Sequence, residues 1–246
     1  MMATYNEIGT VAGLFRFPVK SMGGEELDTA HLGWHGIEGD RRFAFLRRGE
    51  ASGLPWLSAR ECPGLIAYGA HFENPDDSRR SALLVELPDG RQVDVRADAL
   101  RQAVEDEHGG PLDLIQLWRG AFDAMSVSLI TSTAIASIEK VVERSLEPER
   151  FRANILIATE APRPYPEEKW VSRTIVFGDR PDAARVRINR RDPRCSVVNV
   201  NPRSGITDIA LHGAIVRERK NQLGVYGQTE WPGTIAVGDS VLLKSD

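Results

Sequence analysis

The most constraining feature of this chain is its punctuation: short apolar or alternating runs, each cut off by glycine or proline. "TVAGLFRF" (10–17), "RFAFLRR" (42–48), "DLIQLW" (113–118), "NILIA" (154–158), "TIVFGD" (174–179), "ARVRIN" (184–189) and "SVVNV" (196–200) read as strands. "LLVEL" (83–87) and "RQVDVR" (91–96) flank Pro88-Asp89-Gly90, a hairpin signal, and "GTIAVGDSVLL" closes the chain in the same manner. Helical periodicity is confined to a few stretches. One runs from Asp98 to about Glu107, and another covers roughly 207–220. A third sets Ile135, Ile138, Val141 and Val142 at helical spacing, behind Thr131 or Ser132 as N-cap.

Strands that outnumber helices, and alternate with them irregularly, argue against a doubly wound sheet. The expectation is a mainly β (α+β) chain with β-barrel-like architecture and peripheral helices. At 246 residues it can bury one substantial core, or two smaller ones sharing an interface. The halves meet near residues 120–126 and are expected to pack as one unit. "APRPYPEEKW" (161–170) reads as a proline-rich loop, and the "IVFGD" and "IAVGD" echo as one turn device used twice.

A net charge of −4 gives no global reason to expect nucleic acid, so the arginines are read locally, as pockets for small anions. No apolar run approaches the roughly 20 residues of a membrane span, and "MMATYNEIGT" lacks the pattern of a signal peptide. Two cysteines, Cys62 and Cys195, make no disulfide framework and no zinc or iron–sulfur spacing, which fits a reducing cytoplasm.

Cys195 follows Arg185, Arg187, Arg190, Arg191 and Arg194 within ten residues. Nearby guanidinium charge favours thiolate, which promotes nucleophilicity and ligation of a soft metal. A buried spectator thiol is the competing reading, and the two stand about even on these residues alone. "FPVKSMGG" (17–24) puts Lys20 and Ser21 past a strand end, and "EGDRRF" (38–43) offers Arg41 or Arg42; either could hold a phosphate or carboxylate, or simply face solvent. "LITST" (129–133) opens a helix with hydroxyls, which serves an anion or ordinary capping. "RFRAN" sets Arg150, Arg152 and Asn154 before a buried strand, where Asn could orient a ring or satisfy backbone. The histidines at 31, 35, 71, 108 and 212 show no metal spacing and nominate no base for Cys195.

In this order and spacing the motifs resemble the MOSC family with its N-terminal β-barrel domain. More closely, they are similar to the amidoxime-reducing molybdenum enzymes and their bacterial relatives. "FPVKSMGG", "GDRRFAFL", "LSARECPGL", "LITSTAIASI", "RFRANILI", "DPRCSVVNVNPRSG" and "VYGQTEWPGTIAVGDSVLL" carry the resemblance, from about residue 10 onward. It implies a smaller N-terminal β-barrel domain over 1–125, packed against a MOSC domain over 126–246. It also implies a molybdenum cofactor, a molybdopterin, with Cys195 as protein ligand to the metal and catalytic residue. The family's cofactor contacts fall on Lys20, Ser21, Arg41, Thr131, Ser132, Arg152, Asn154 and Arg194. Cys62 has no functional counterpart.

The implied activity is two-electron reduction of a small N-hydroxylated substrate, with electrons from a separate flavin or iron–sulfur protein. A non-catalytic carrier of cofactor or sulfur on Cys195 is the alternative. A cysteine hydrolase, which needs an oriented base, ranks last.

Overall fold

The computed structural model describes residues 5–160 and 163–244, so Ala161 and Pro162 of the proline-rich loop lie outside the described residues. The first half supplies β1 (Tyr5–Arg16), β2 (Glu25–Leu27), β3 (Thr29–Gly33), β4 (Gly36–Ile37), β5 (Phe43–Arg47) and β6 (Gly69–Phe72). It continues with β7 (Leu83–Glu86), β8 (Gln92–Asp94), α1 (Asp98–His108) and β9 (Leu112–Gln116). The second half adds β10 (Val127–Thr131), α2 (Ser132–Val142), β11 (Ile155–Ala158), β12 (Thr174–Phe177) and β13 (Ala184–Pro193). It ends with α3 (Ile209–Arg219), β14 (Gln222–Trp231), β15 (Gly233–Ala236) and β16 (Ser240–Lys244).

Seven of these strands close into a barrel, in the order β11-β10-β14-β13-β12-β16-β1, with β1 pairing β11 to complete the ring. Closure leaves these strands without free sheet edges. The inward side chains follow the period-two alternation that the sequence shows: Ile175 and Phe177 on β12, Val186 and Ile188 on β13, Val241 and Leu243 on β16. Each such buried side chain contributes about 1.5–3 kcal/mol. A second core lies outside the barrel wall, where Ile135 and Ile138 of α2 meet Leu211 and Ile215 of α3. A third, around Val19, Phe43, Phe45, Leu65, Leu100 and Leu112, belongs to the N-terminal unit, whose short sheets pair β5 with β9 and β6 with β7 and β8.

β1 comes from the first half of the chain yet is a stave of the barrel. It runs antiparallel to β16 (Tyr5 opposite Lys244) and to β11 (Leu14 opposite Ile155). β3 likewise pairs with β15. The two halves therefore share strands as well as a surface.

Two expectations are corrected. "SVVNV" is a 3-10 turn over Ser196–Asn199 and not a strand. Arg150 takes the carbonyls of Val198 and Asn199, at 3.2 Å each, that a neighbouring strand would have taken. β13 also runs on to Pro193, so Arg190 and Arg191 sit on a ladder and not in a loop. Among the described residues, no helix is long and apolar enough to cross a membrane.

Candidate functional site

A cavity of about 540 Å³ opens between the barrel and the N-terminal unit. Lys20, Ser21, Arg41, Arg152, Arg194 and Cys195 all line it, so six of the nine residues singled out in the sequence meet in one place. Six basic and two acidic side chains face it: Lys20, Arg41, Arg60, Arg150, Arg152 and Arg194 against Asp123 and Asp192.

The first wall is made by the turns that follow β1 and β4. Asp40 ties them together, accepting the Phe17 N–H at 2.8 Å and pairing with Arg41 at 2.5 Å. Arg41 also pairs with Asp123 at 2.9 Å and donates to the Arg152 carbonyl at 2.7 Å. Arg152 donates to the Met22 carbonyl at 2.6 Å, while its Nη2, buried, has no hydrogen-bond partner. Both guanidinium groups lie over the Phe17 ring, 5.0 and 4.3 Å from its centre. Ser21, Arg41 and Arg152 all hold left-handed backbone (φ 68°, 46° and 51°), a conformation that costs a non-glycine residue about 1–3 kcal/mol. Among the described residues, eight non-glycine residues hold such backbone, and three of them stand on this wall.

The electrostatics follow from this crowding. Burial pushes the Lys20 amine down to about 8; Asp123 opposes the shift, and Arg41, Arg152 and Arg60 add to it. Burial and Arg41 likewise press Arg152 below its usual range. Burial works against the Arg41 charge too, but Asp40 and Asp123 outweigh it and raise its pKa. Desolvation alone would raise Asp123; Arg41, the Ala124 N–H, Lys20 and Arg152 hold it below the ordinary carboxylate range.

The second wall carries the thiol. Cys195 is exposed and immediately precedes the 3-10 turn. Arg194 beside it is buried and braces the chain, donating to the carbonyls of Leu223 and Phe151 at 2.6 Å each and pairing with Asp192 at 3.0 Å. β14 can pass beneath only because residue 224 is glycine: its φ is 80°, and a Cβ there would lie 2.8 Å from the Arg194 guanidinium. His212 steadies the same segment, its Nε2 2.9 Å from Asn221 Oδ1 and 3.2 Å from the Arg194 carbonyl.

Asn154, Thr131 and Ser132 stand away from the cavity lining. Asn154 is a buried staple: its Oδ1 accepts the Ser128 N–H at 3.1 Å and its Nδ2 donates to the Phe15 carbonyl at 3.3 Å. Thr131 caps α2 and donates to Glu167 at 2.7 Å; the Ser132 hydroxyl accepts the Thr159 N–H at 3.2 Å. Of the arginines before Cys195, only Arg194 lines the cavity. Arg191 pairs with Glu168 at 3.2 Å, and Arg190 lies over Tyr226.

Sequence reasoning missed the rest of the lining. Ser128, Asp192 and Tyr226 line the barrel side, and Trp56 and Phe122, rings 5.5 Å apart, supply an apolar flank. Asp192 and Tyr226 had a signal, lying inside the quoted cysteine stretch and the closing "VYGQTEW" stretch.

Comparison with curated proteins finds no match. Among solved structures, the YUAD protein from Bacillus subtilis has a TM-score of 0.52 at 16% identity over 100% of both chains, which shows a shared fold. YiiM from Escherichia coli (TM-score 0.42, 10% identity) covers 100% of this chain and 71% of that one. YiiM from Geobacillus stearothermophilus (TM-score 0.37, 16% identity) covers 48% of this chain and 54% of that one. Family models match over nearly the whole length: the MOSC N-terminal beta barrel domain at residues 8–125 and the MOSC domain at 105–242. The chain belongs to the MOSC domain family, a family that binds the molybdenum cofactor.

Proposed function

We propose that this protein binds a molybdenum cofactor in the cavity, with Cys195 as protein ligand to the metal, and reduces N-hydroxylated substrates there. The observation that carries the reading is an exposed thiol on the wall of a cavity with six cations and two carboxylates. Arg41 has partners in Asp40 and Asp123, and Arg150 has one in Glu147; Lys20 shares only Asp123, and Arg152 keeps a buried Nη2 unbonded. That surplus suits a phosphate. A thiolate is a soft donor suited to a metal already held by sulfur. Among the described residues no group of three His, Cys, Asp or Glu could hold a bare ion, so a metal at Cys195 would bring its other ligands with it.

When bound, the cofactor would supply the two-electron chemistry at nitrogen–oxygen bonds. The chain's own residues do the rest. Lys20 and Arg152 neutralise the phosphate, Ser21 offers a hydroxyl beside them, and Arg41 locks the two turns that carry them. Arg194 and His212 fix the backbone before the thiol, and Arg150 fixes that after it. Trp56 and Phe122 exclude water from one flank. The reading calls for a flavin or iron–sulfur protein as electron donor and extends to the cytoplasm, where free thiols persist.

Elemental analysis tests it on protein from a host that makes the cofactor. Wild type should carry close to one molybdenum per chain, lost in Cys195→Ser, and should turn over an N-hydroxylated amidine with a reductant. Metal-free wild type refutes the cofactor reading. Metal with cofactor exchange to an apo-acceptor, and no turnover, selects a carrier role instead.

A further inference from the structure

Two carboxyl groups face the cavity, and the fold treats them oppositely. Asp123 sits among cations: Arg41 meets its Oδ2 at 2.9 Å, the Ala124 N–H meets its Oδ1 at 2.6 Å, and Tyr226 donates to Oδ1 at 3.3 Å. Asp192 is 1% exposed and has one cation, Arg194, whose guanidinium also serves the Leu223 and Phe151 carbonyls. The Arg194 contact at 3.0 Å and the Ser128 hydroxyl at 2.9 Å both fall on Oδ2, so neither occupies Oδ1. The Tyr226 hydroxyl, which donates to Asp123, lies close enough to Asp192 to bear on its proton. Ser128 and Tyr226 are hydroxyls, able to donate to a carboxylate or accept from a carboxylic acid. The surroundings of Asp192 thus tolerate a proton, and those of Asp123 do not.

We propose that Asp192 is the general acid of this cavity, relayed by Tyr226, and that Asp123 is its permanently ionised counterpart. The proposal rests on the reductase reading. Reduction of an N–OH group breaks the N–O bond, adds two electrons to nitrogen, and consumes two protons as oxygen departs as water. The electrons come from the flavin or iron–sulfur donor; Asp192 gives one proton to the departing oxygen and is reprotonated from solvent, and nitrogen takes the second proton from solvent. Two facing carboxyls whose environments divide them into an acid and a base recur wherever proton transfer is catalysed. The pKa directions agree: burial raises Asp192 against Arg194, Ser128 and Tyr226, with Asp123 adding to the rise, while Asp123 itself is depressed. Besides these groups, the opposite wall presents Lys20, Arg41 and Arg152, whose charges bear on Asp123.

The test uses the full chain loaded with cofactor. Asp192→Asn keeps the side-chain shape and should retain molybdenum at the wild-type level, while kcat for an N-hydroxylated amidine falls about 10²-fold or more. Wild-type kcat should decline as pH rises past the point where Asp192 ionises, and the variant should lack that limb. Infrared difference spectroscopy reads the group directly. Wild type should show a carboxylic-acid carbonyl band titrating above the ordinary carboxylate range, absent in Asp192→Asn and shifted in Tyr226→Phe. A kcat within threefold of wild type, loss of metal in step with activity, or a band that survives Asp192→Asn overturns the proposal. Wild type that carries no metal or turns over nothing refutes the reductase reading itself, and the acid role falls with it. The infrared band still reports whether Asp192 carries the proton.

Discussion

Replacing Lys20 with methionine should make the cofactor-free protein more stable while weakening its affinity for an anion. The amine is held at about 8, below its ordinary 10.5, by burial first and then by Arg41, Arg152 and Arg60, against the pull of Asp123. At about 1.36 kcal/mol per pKa unit, keeping that charge in the folded state costs about 3 kcal/mol at neutral pH. Methionine removes the cost and loses the hydrogen bond to the Phe122 carbonyl, 2.7 Å long and worth about 1 kcal/mol. The net gain is about 2 kcal/mol, or roughly 4–8 °C in Tm for a chain of this size. The sign with pH follows from linkage: the unfolded chain holds this proton more tightly, so wild-type stability rises between about 8 and 10.5 as the folded amine is released. The gap between the proteins should therefore narrow over that range. Urea unfolding of both at neutral and alkaline pH, with and without inorganic phosphate, measures it. Phosphate should stabilise wild type more than the variant. A Lys20→Met protein less stable than wild type at neutral pH, or a gap that ignores pH, refutes the reasoning.

The neighbouring arginines should divide sharply. Arg191→Ala touches one exposed pair with Glu168 and should change urea stability by less than about 0.5 kcal/mol, with molybdenum content unaltered. Arg194→Met leaves the Leu223 and Phe151 carbonyls without their donor in a buried place and should cost about 2 kcal/mol or more by the same measurement. Asn154→Ala leaves the Ser128 N–H and the Phe15 carbonyl unpaired in a buried place, a loss of about 2 kcal/mol or more in the same assay.

Local rules in the sequence were enough for the strand-rich class, the Pro88-Asp89-Gly90 hairpin and all three helices; of the two caps they left open for α2, Thr131 and Ser132, the structure uses Thr131. β14 escaped because Gly224 and Gly227 interrupt its alternation, although both are required by close backbone approach. The turn after Cys195 was misread because three valines favour a strand, and only the distant Arg150 supplies the partners that settle otherwise. Site residues on motif loops were visible, whereas Asp123 depends on long-range packing that no local spacing encodes. The cluster of arginines overstated the positive field at the thiol, since the bulged ladder of β13 carries Arg190 and Arg191 away from it.

The place of β1 in the barrel has a temporal side. Thr10 pairs with Ser240, so β1 waits for a strand that lies far along the chain. At about 5–20 residues per second, that wait is roughly ten to forty-five seconds of synthesis. Lys20 and Ser21 follow directly on that stave. The cavity they line therefore comes into being only after β16 has been made, and a cofactor could be received only once that far strand is in place.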